Sequence, residues 1–407
     1  MRSVRRLSLY LVTVMALAVA VPAHALHTIK LKVPKFVVQP HTDREVCTFV
    51  PVPMSEPFDL GGSLIVNIGG RGTFTTHHFL MWVYEGTNLG AFPAPGTLVD
   101  SKACLDFGPG DTNQRTLIAG SQLPRLKTRL PLGLAQQIKP NVSGAKPVVG
   151  IILNSHWING DDKPRKASVR VTLTAAPKHT VRQLLSPLFD VVANAFIRVA
   201  PMQEKTASSE WSPGGFNFGG GLGGGVFPTT DACVSSLTSH MHKRGVHFTN
   251  DMLNGGQVTG GHLLETFEYT DPPVVTCANG LTCAGSNLAM LVKVGQGLRY
   301  TCTHDNGVNG HAVRMGCEEQ AGVPPGVDLA STFLGHHGTT GAAKRCTTAA
   351  DCGPTDPAYP GRTFTGACVP ANLVFGYTSE DDMCIMPGSW YPAINGSCDV
   401  SGEPIQN

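Results

Sequence analysis

Val169-Arg170-Val171-Thr172-Leu173-Thr174 alternates apolar and polar side chains without a break. That is the two-residue period of a strand with one face in a core: Val169, Val171 and Leu173 point in, while Arg170, Thr172 and Thr174 point out. Val148 to Leu153 and Leu64-Ile65-Val66 are continuous apolar runs, the pattern of strands covered on both faces. Phe79-Leu80-Met81-Trp82-Val83-Tyr84 and Leu298 to Cys302 also read as strands, and Asn254-Gly255-Gly256 is a turn between strand-like pieces. Helical periodicity is scarce. Val181 to Phe196 is the best helix candidate, and Pro187 interrupts it. Short strands punctuated by 47 glycines and 30 prolines predict an all-β chain built of sandwiches.

At 407 residues the chain is too long for one ordinary core and predicts two domains. The boundary is expected near Ala176-Pro177, giving an N-terminal domain over 26–178 and a C-terminal domain over 179–402. Residues 1–25 have the layout of a secretory signal peptide: Arg2, Arg5 and Arg6, an apolar run from Leu7 to Val21, then Ala23-His24-Ala25. The apolar run is short against the roughly 20 residues of a membrane span, and no later stretch is long and apolar enough to cross. A net charge of +2 gives no basic footprint for nucleic acid. Twelve cysteines, an even number and all beyond the signal peptide, predict disulfides in a secreted or periplasmic protein. The glycine-rich stretch 213–226 reads as a flexible surface loop. The stretch 317–370, with Cys317, Cys346, Cys352 and Cys368, reads as an insertion stapled by disulfides, with zinc binding as the rival use of those four thiols. Cys277 and Cys283 suit a small local loop.

Four histidine and methionine motifs carry the chemistry. In Ser239-His240-Met241-His242 the two imidazoles are two residues apart, so on a strand they share a face and can meet one metal ion. Alone, such a pair is commonly just a surface feature. In Glu380-Asp381-Asp382-Met383-Cys384 the thioether of Met383 is a soft donor suited to Cu(I), although a lone methionine is ordinarily core packing. Adjacent residues His77 and His78 normally face opposite sides of a strand. They can share a metal only where the backbone is irregular, as at a bulge. Asn154-Ser155-His156-Trp157 ends the apolar run Val148 to Leu153, and taken alone His156 reads as a satisfied core histidine rather than a ligand.

The order of these motifs resembles the copper type II, ascorbate-dependent monooxygenases, the family of peptidylglycine alpha-hydroxylating and dopamine beta-monooxygenases. The resemblance runs in patches from about Glu45 to Cys398. It is strongest in Phe375-Gly376-Tyr377-Thr378-Ser379-Glu380-Asp381-Asp382-Met383-Cys384, and is carried also by Gly150 to His156 and by Gln296 to Thr303. Tyr391-Pro392 is similar to the dopamine-type branch. The resemblance implies two jelly-roll-like β-sandwich domains facing each other across a cleft and two coppers per chain. His77, His78 and His156 would hold an electron-transfer copper. His240, His242 and Met383 would hold the copper at which dioxygen is used to hydroxylate a C–H bond of a small-molecule substrate. Ascorbate or another one-electron donor would be co-substrate. It also implies disulfides Cys47 to Cys104, Cys233 to Cys398 and Cys302 to Cys384, leaving Cys317, Cys346, Cys352 and Cys368 to pair within the insertion.

Two positions depart from the peptide-hydroxylating branch. Thr238 stands where that branch has a carboxylate-binding arginine, and Ile385 follows Cys384 where it has asparagine. A peptidylglycine substrate is therefore not expected, and a divergent, bacterial branch is suggested. His262, His304, His311, His336 and His337 match no ligand position, and His247 reads as solvated. The rival functions are an exported copper-binding protein for storage, delivery or sensing without turnover, and a structural β-sandwich with incidental histidines.

Overall fold

The structure, a computed structural model, describes residues 28–405 apart from 55, 112–113, 142–146, 216–227, 284–287, 321–343, 357–362, 378 and 401–403. The expected signal peptide, the tract Gly219 to Gly225, His336-His337 and part of the 317–370 insertion lie outside the described residues. The alternating segment that opened the sequence is the middle of strand Arg165–Ala175, with Val169, Val171 and Leu173 buried and Arg170 exposed. It pairs antiparallel with Thr28–Val38 on one side and Phe58–Ile68 on the other. Leu134–Ile138 and Gln183–Leu184 continue this sheet, and Arg125–Arg129 pairs with Phe58–Ile68. The facing sheet orders Val99–Asp100, Thr42–Pro53, Val148–Asn159, Phe74–Tyr84 and Arg115–Ser121. Between the sheets Val33, Ile65, Met81, Ile151, Leu153, Trp157 and Val169 form one dry core. Each such side chain contributes about 1.5–3 kcal/mol by leaving water.

The second half repeats the architecture. One sheet orders Ser186–Asp190, Cys384–Pro392, Ala232–Leu237 and Met290–Val292, with the short strand His240–Met241 paired to Cys384–Pro392. Its partner orders Glu204–Trp211, Gln296–Asp305, Gly245–Asn254 and Gln257–Thr266. The Asn254-Gly255-Gly256 turn is present, with φ of 57° at Gly255 and 78° at Gly256, values that favour glycine. The all-β, sandwich reading therefore holds. Described helical segments are 3-10 turns of three to five residues.

Two local expectations are corrected. Val181 to Phe196 is not a helix but the strands Gln183–Leu184 and Ser186–Asp190 followed by a 3-10 turn, Val192–Phe196. Pro187 cannot donate to a helix, and it fits here because Ser186–Asp190 is an edge strand. The chain passes from the first half's sheet to the second's at Leu185, a little beyond Ala176-Pro177. Leu64-Ile65-Val66 is buried on one face only: Ile65 is enclosed while Leu64 and Val66 are half-buried. The strand beside them carries Lys127 and Arg125 opposite Leu64 and Val66, and it is largely exposed.

All twelve cysteines pair: Cys47–Cys104, Cys233–Cys398, Cys277–Cys283, Cys302–Cys384, Cys317–Cys352 and Cys346–Cys368. The last two pairs lock the insertion, so its thiols are not zinc ligands. Six disulfides suit an oxidising, extracellular type of compartment. No helix among the described residues is long and apolar enough to cross a membrane.

Candidate metal centre

The first histidine set is made by one strand pair and one irregularity. Along Phe74–Tyr84 and Val148–Asn159 the register runs Thr76 opposite Trp157, then His78 opposite His156. His77 is the extra residue, a β-bulge. The bulge removes the alternation that would send His77 and His78 to opposite faces. His77, His78 and His156 are all buried, and their ligand-type atoms lie within 4.8 Å of one another.

Carboxylates stand behind this set. His78 Nε2 donates to Asn154 Oδ1 at 2.9 Å and to Glu45 Oε1 at 3.2 Å. His156 Nε2 donates to Asp43 Oδ2 at 3.0 Å. Those contacts fix the tautomers and leave Nδ1 of both rings without a partner, as are both ring nitrogens of His77. Burial works against the charge on Asp43 and Glu45. Neighbouring imidazoles outweigh it, chiefly His156, and both carboxyls stay below the usual range. His156 is pushed up, since Asp43 and Glu45 overcome its burial. Burial, then the crowd of imidazoles led by His242, pushes His77 well down, so that ring is neutral.

The second set is held by a loop. His240 pairs with Ile385 and Met241 with Cys384, so the short strand carrying His240 lies against the strand that starts beside Met383. Met241 enters the core of its own half, and His240 and His242 take the other side, with ring centroids 5.4 Å apart. Asp382 ties the loop together. Its Oδ1 accepts from the backbone N–H of His242 at 3.0 Å and of Met383 at 2.8 Å. Its Oδ2 lies 3.2 Å from His304 Nδ1, an ion-pair distance without hydrogen-bond alignment. His242 Nδ1 donates to the Asp381 carbonyl at 3.2 Å, leaving Nε2 without a partner. Burial, followed by nearby imidazoles, pushes His240 down; burial also lowers His242 despite Asp382. Met383 is buried and packs with Val191, Ile385, Phe375 and Tyr377.

The two sets, expected as separate centres, are contiguous. His77 lies 5.2 Å from His240 and 4.8 Å from His242 between ring centroids, and His78 lies 5.6 Å from His240. His77, His240 and His242 also satisfy the 4.8 Å ligand spacing, so His77 belongs to two triads. His77, His78, His156 and His242 are enclosed, His240 is half-buried, and the unpartnered ring nitrogens of the enclosed four cost free energy away from water. His78, His156 and His242 are each anchored through one nitrogen with the other unpartnered, which is what metal ligation requires. The residues therefore fit a bound metal. Beside them is a cavity of about 370 Å³ between the halves, lined by His78, His240 and Met383 among others.

His304 was missed from the sequence. It is fully buried on Gln296–Asp305, two residues beyond Cys302, and meets Asp382. The signal available was that two-residue offset, which puts His304 on the face of the disulfide to Cys384. His247 pairs with Glu265 and stacks on Phe267 near the surface; His262 pairs with Asp251, and His311 is exposed. None of these three enters the cluster.

No family model and no curated protein matches this sequence. Among solved structures, the chain is similar to PNGase F, a glycosylasparaginase from Flavobacterium meningosepticum. Identity is 10% and the TM-score 0.25, over 68% of this chain and 96% of that one. It is also similar to the structure of the Macrobrachium rosenbergii nodavirus, at 9% identity and a TM-score of 0.18, over 71% and 94%. Likenesses this slight carry no argument about function.

Proposed function

We propose that the chain is a copper-dependent monooxygenase hydroxylating an activated C–H bond of a small molecule with dioxygen and a one-electron donor such as ascorbate. The observation that carries this reading is a pair of histidine triads joined at His77, beside a mainly apolar cavity that His240 and the buried thioether of Met383 both line. Imidazole with thioether suits copper in both its oxidation states, Cu(I) above all. Bound copper would supply one-electron redox cycling and dioxygen activation. One oxygen atom enters the C–H bond; the other leaves as water after two electrons from the donor and two protons.

The chain's own residues do the positioning. Asp43, Glu45, Asn154 and the Asp381 carbonyl hold ring N–H groups so that lone pairs converge. Asp382 sets the backbone of His242 beside that of Met383. The walls of the cavity are mainly apolar. The rival, a copper store without turnover, is favoured by the contiguity of the two triads through His77, a compact arrangement that storage also suits.

Copper stoichiometry and ascorbate-dependent oxygen uptake test the proposal together. Expected are specific copper binding, uptake that rises with substrate, and loss of uptake in Met383→Ala. Copper binding with no uptake over a broad C–H substrate panel would leave the storage reading; no specific copper binding sinks both.

A further inference from the structure

The cavity wall beside Met383 carries a polar group that no ligand role uses. Met383 packs among Val191, Phe189, Ile385, Phe375 and Tyr377, and all five line the cavity. Of these five, Tyr377 alone ends in a polar atom. The residue is half-buried, and its hydroxyl has no hydrogen-bond partner among the described residues. It is not one of the sealed polar atoms, as Trp82 Nε1 and His242 Nε2 are. Burial, then the nearby Glu45, pushes its pKa up, so the phenol is a neutral donor.

The chain holds that side chain in place. The Asp382 N–H donates to the Val374 carbonyl at 3.0 Å, and the Gly376 N–H donates to the Asp382 carbonyl at 3.2 Å. The segment leading into Tyr377 is thereby tied to the residue before Met383. A Cβ at position 376 would come within 2.6 Å of the Asp381 Cβ, so only glycine allows this approach. The Phe375 ring meets the Tyr377 ring edge-on, with centroids 5.1 Å apart. A donor held this way loses little freedom when a ligand binds, so most of the bond's worth reaches the complex. Hydrocarbon walls attract by area and have no direction, whereas a hydrogen bond has one. Tyr377 can therefore orient a molecule that Val191, Phe189, Ile385 and Phe375 only enclose.

We propose that Tyr377 orients the substrate: its hydroxyl donates to an oxygen acceptor, such as a carbonyl, that lies within a few bonds of the C–H bond presented to His240 and Met383. The proposal rests on the oxygenase reading. The substrate is then an oxygenated organic molecule and not a bare hydrocarbon.

The test is fluorine NMR titration of the full mature chain without copper, native and Tyr377→Phe, with para-fluoroacetophenone and para-fluoroethylbenzene. Phenylalanine keeps the ring and removes only the hydroxyl. The variant is expected to bind the ketone about three- to tenfold more weakly, one hydrogen bond's worth, and the hydrocarbon as tightly as the native chain does. On the native protein alone, the carbonyl stretch of the bound ketone should fall below its position in cyclohexane, a reading that stands even if the variant does not fold. An unshifted band, no ketone binding, an unchanged ketone affinity in the variant, or equal weakening of both probes overturns the proposal. None of these measurements needs copper or turnover, so absence of copper binding or oxygen uptake counts against the oxygenase reading alone.

Discussion

The two histidine sets reach the same point by different constructions. His77, His78 and His156 stand on neighbouring strands inside a five-stranded sheet, and one bulge turns an adjacent pair into co-facing ligands. Backbone pairing fixes His156 on both sides and His78 on one before any side chain acts. His240, His242 and Met383 lie on a two-residue strand and a loop, where little pairing is available. There, side chains substitute for the sheet. Glu380 meets Lys243 and Arg244, Asp381 meets Arg314, Asp382 meets two backbone N–H groups and His304, and Cys384 is bonded to Cys302. A ligand set on a sheet should tolerate loss of one supporting contact; one on a stapled loop should not.

The sharpest break in that comparison is Asp382→Ala. It would leave the backbone N–H groups of His242 and Met383 without an acceptor in a site without solvent, at a cost of roughly 1–3 kcal/mol each. Denaturant unfolding should show that loss, with Cu(I) retained by the first set. A cost under about 1 kcal/mol, the scale of an exposed pair, would mean the loop does not depend on its carboxylate. Next is His77→Ala. As the residue common to both triads, it should weaken copper at both sets by more than the roughly 10–100-fold that loss of an outer contact costs. Chelator competition with Cu(I) measures this, with His156→Ala as the control that touches one set. Equal behaviour of the two variants would show that His77 serves one triad only.

Much of this was legible in sequence because periodicity is local. The alternation at Val169 to Thr174 gave the strand and its face, and the two-residue spacing of His240 and His242 gave their common side. The bulge at His77 was a condition the sequence could state without fixing, since register is set by pairing with a strand some eighty residues away. The contiguity of the sets was not legible. It depends on how two sandwiches meet, through contacts such as Gln122 to the Ser239 carbonyl and Trp82 against Phe189, which leave no spacing pattern. The separate partners of the carboxylates at 380–382 were not legible either, because Lys243, Arg244, His304 and Arg314 lie far from them in sequence.

Glu45→Gln sharpens the comparison from the sheet side. Glu45 accepts from His78, from Asn154 at 2.8 Å and from the Ala103 N–H at 2.8 Å. The amide keeps an acceptor and the strand positions stay. Copper affinity should fall about 10–100-fold at the first set through loss of ligand basicity, with stability nearly unchanged. A large fall in melting temperature instead would put Glu45 among the folding contacts and blur the distinction between sheet and loop.

The smallest effect is expected at the loop's outer staple, in Glu380→Gln. Glu380 is 27% exposed at its side chain and Lys243 35%, so solvent screens their attraction. Arg244 keeps its bonds to the Glu380 and Ala312 carbonyls in the variant. The cost should be no more than about 1 kcal/mol. It should also depend on pH. Burial opposes the charge of Glu380, but Lys243 and then Arg244 win, and the folded-state carboxyl lies below its ordinary 4.5. A depressed carboxyl stabilises fully above the unfolded value and less as pH falls through the folded one. The difference between native and variant should thus be complete above about pH 4.5 and shrink below it. A difference that persisted in acid would mean that packing of the Glu380 stem, rather than its charge, closes this side of the loop. The sequence of supports from Asp382 outward would then have to be redrawn around shape.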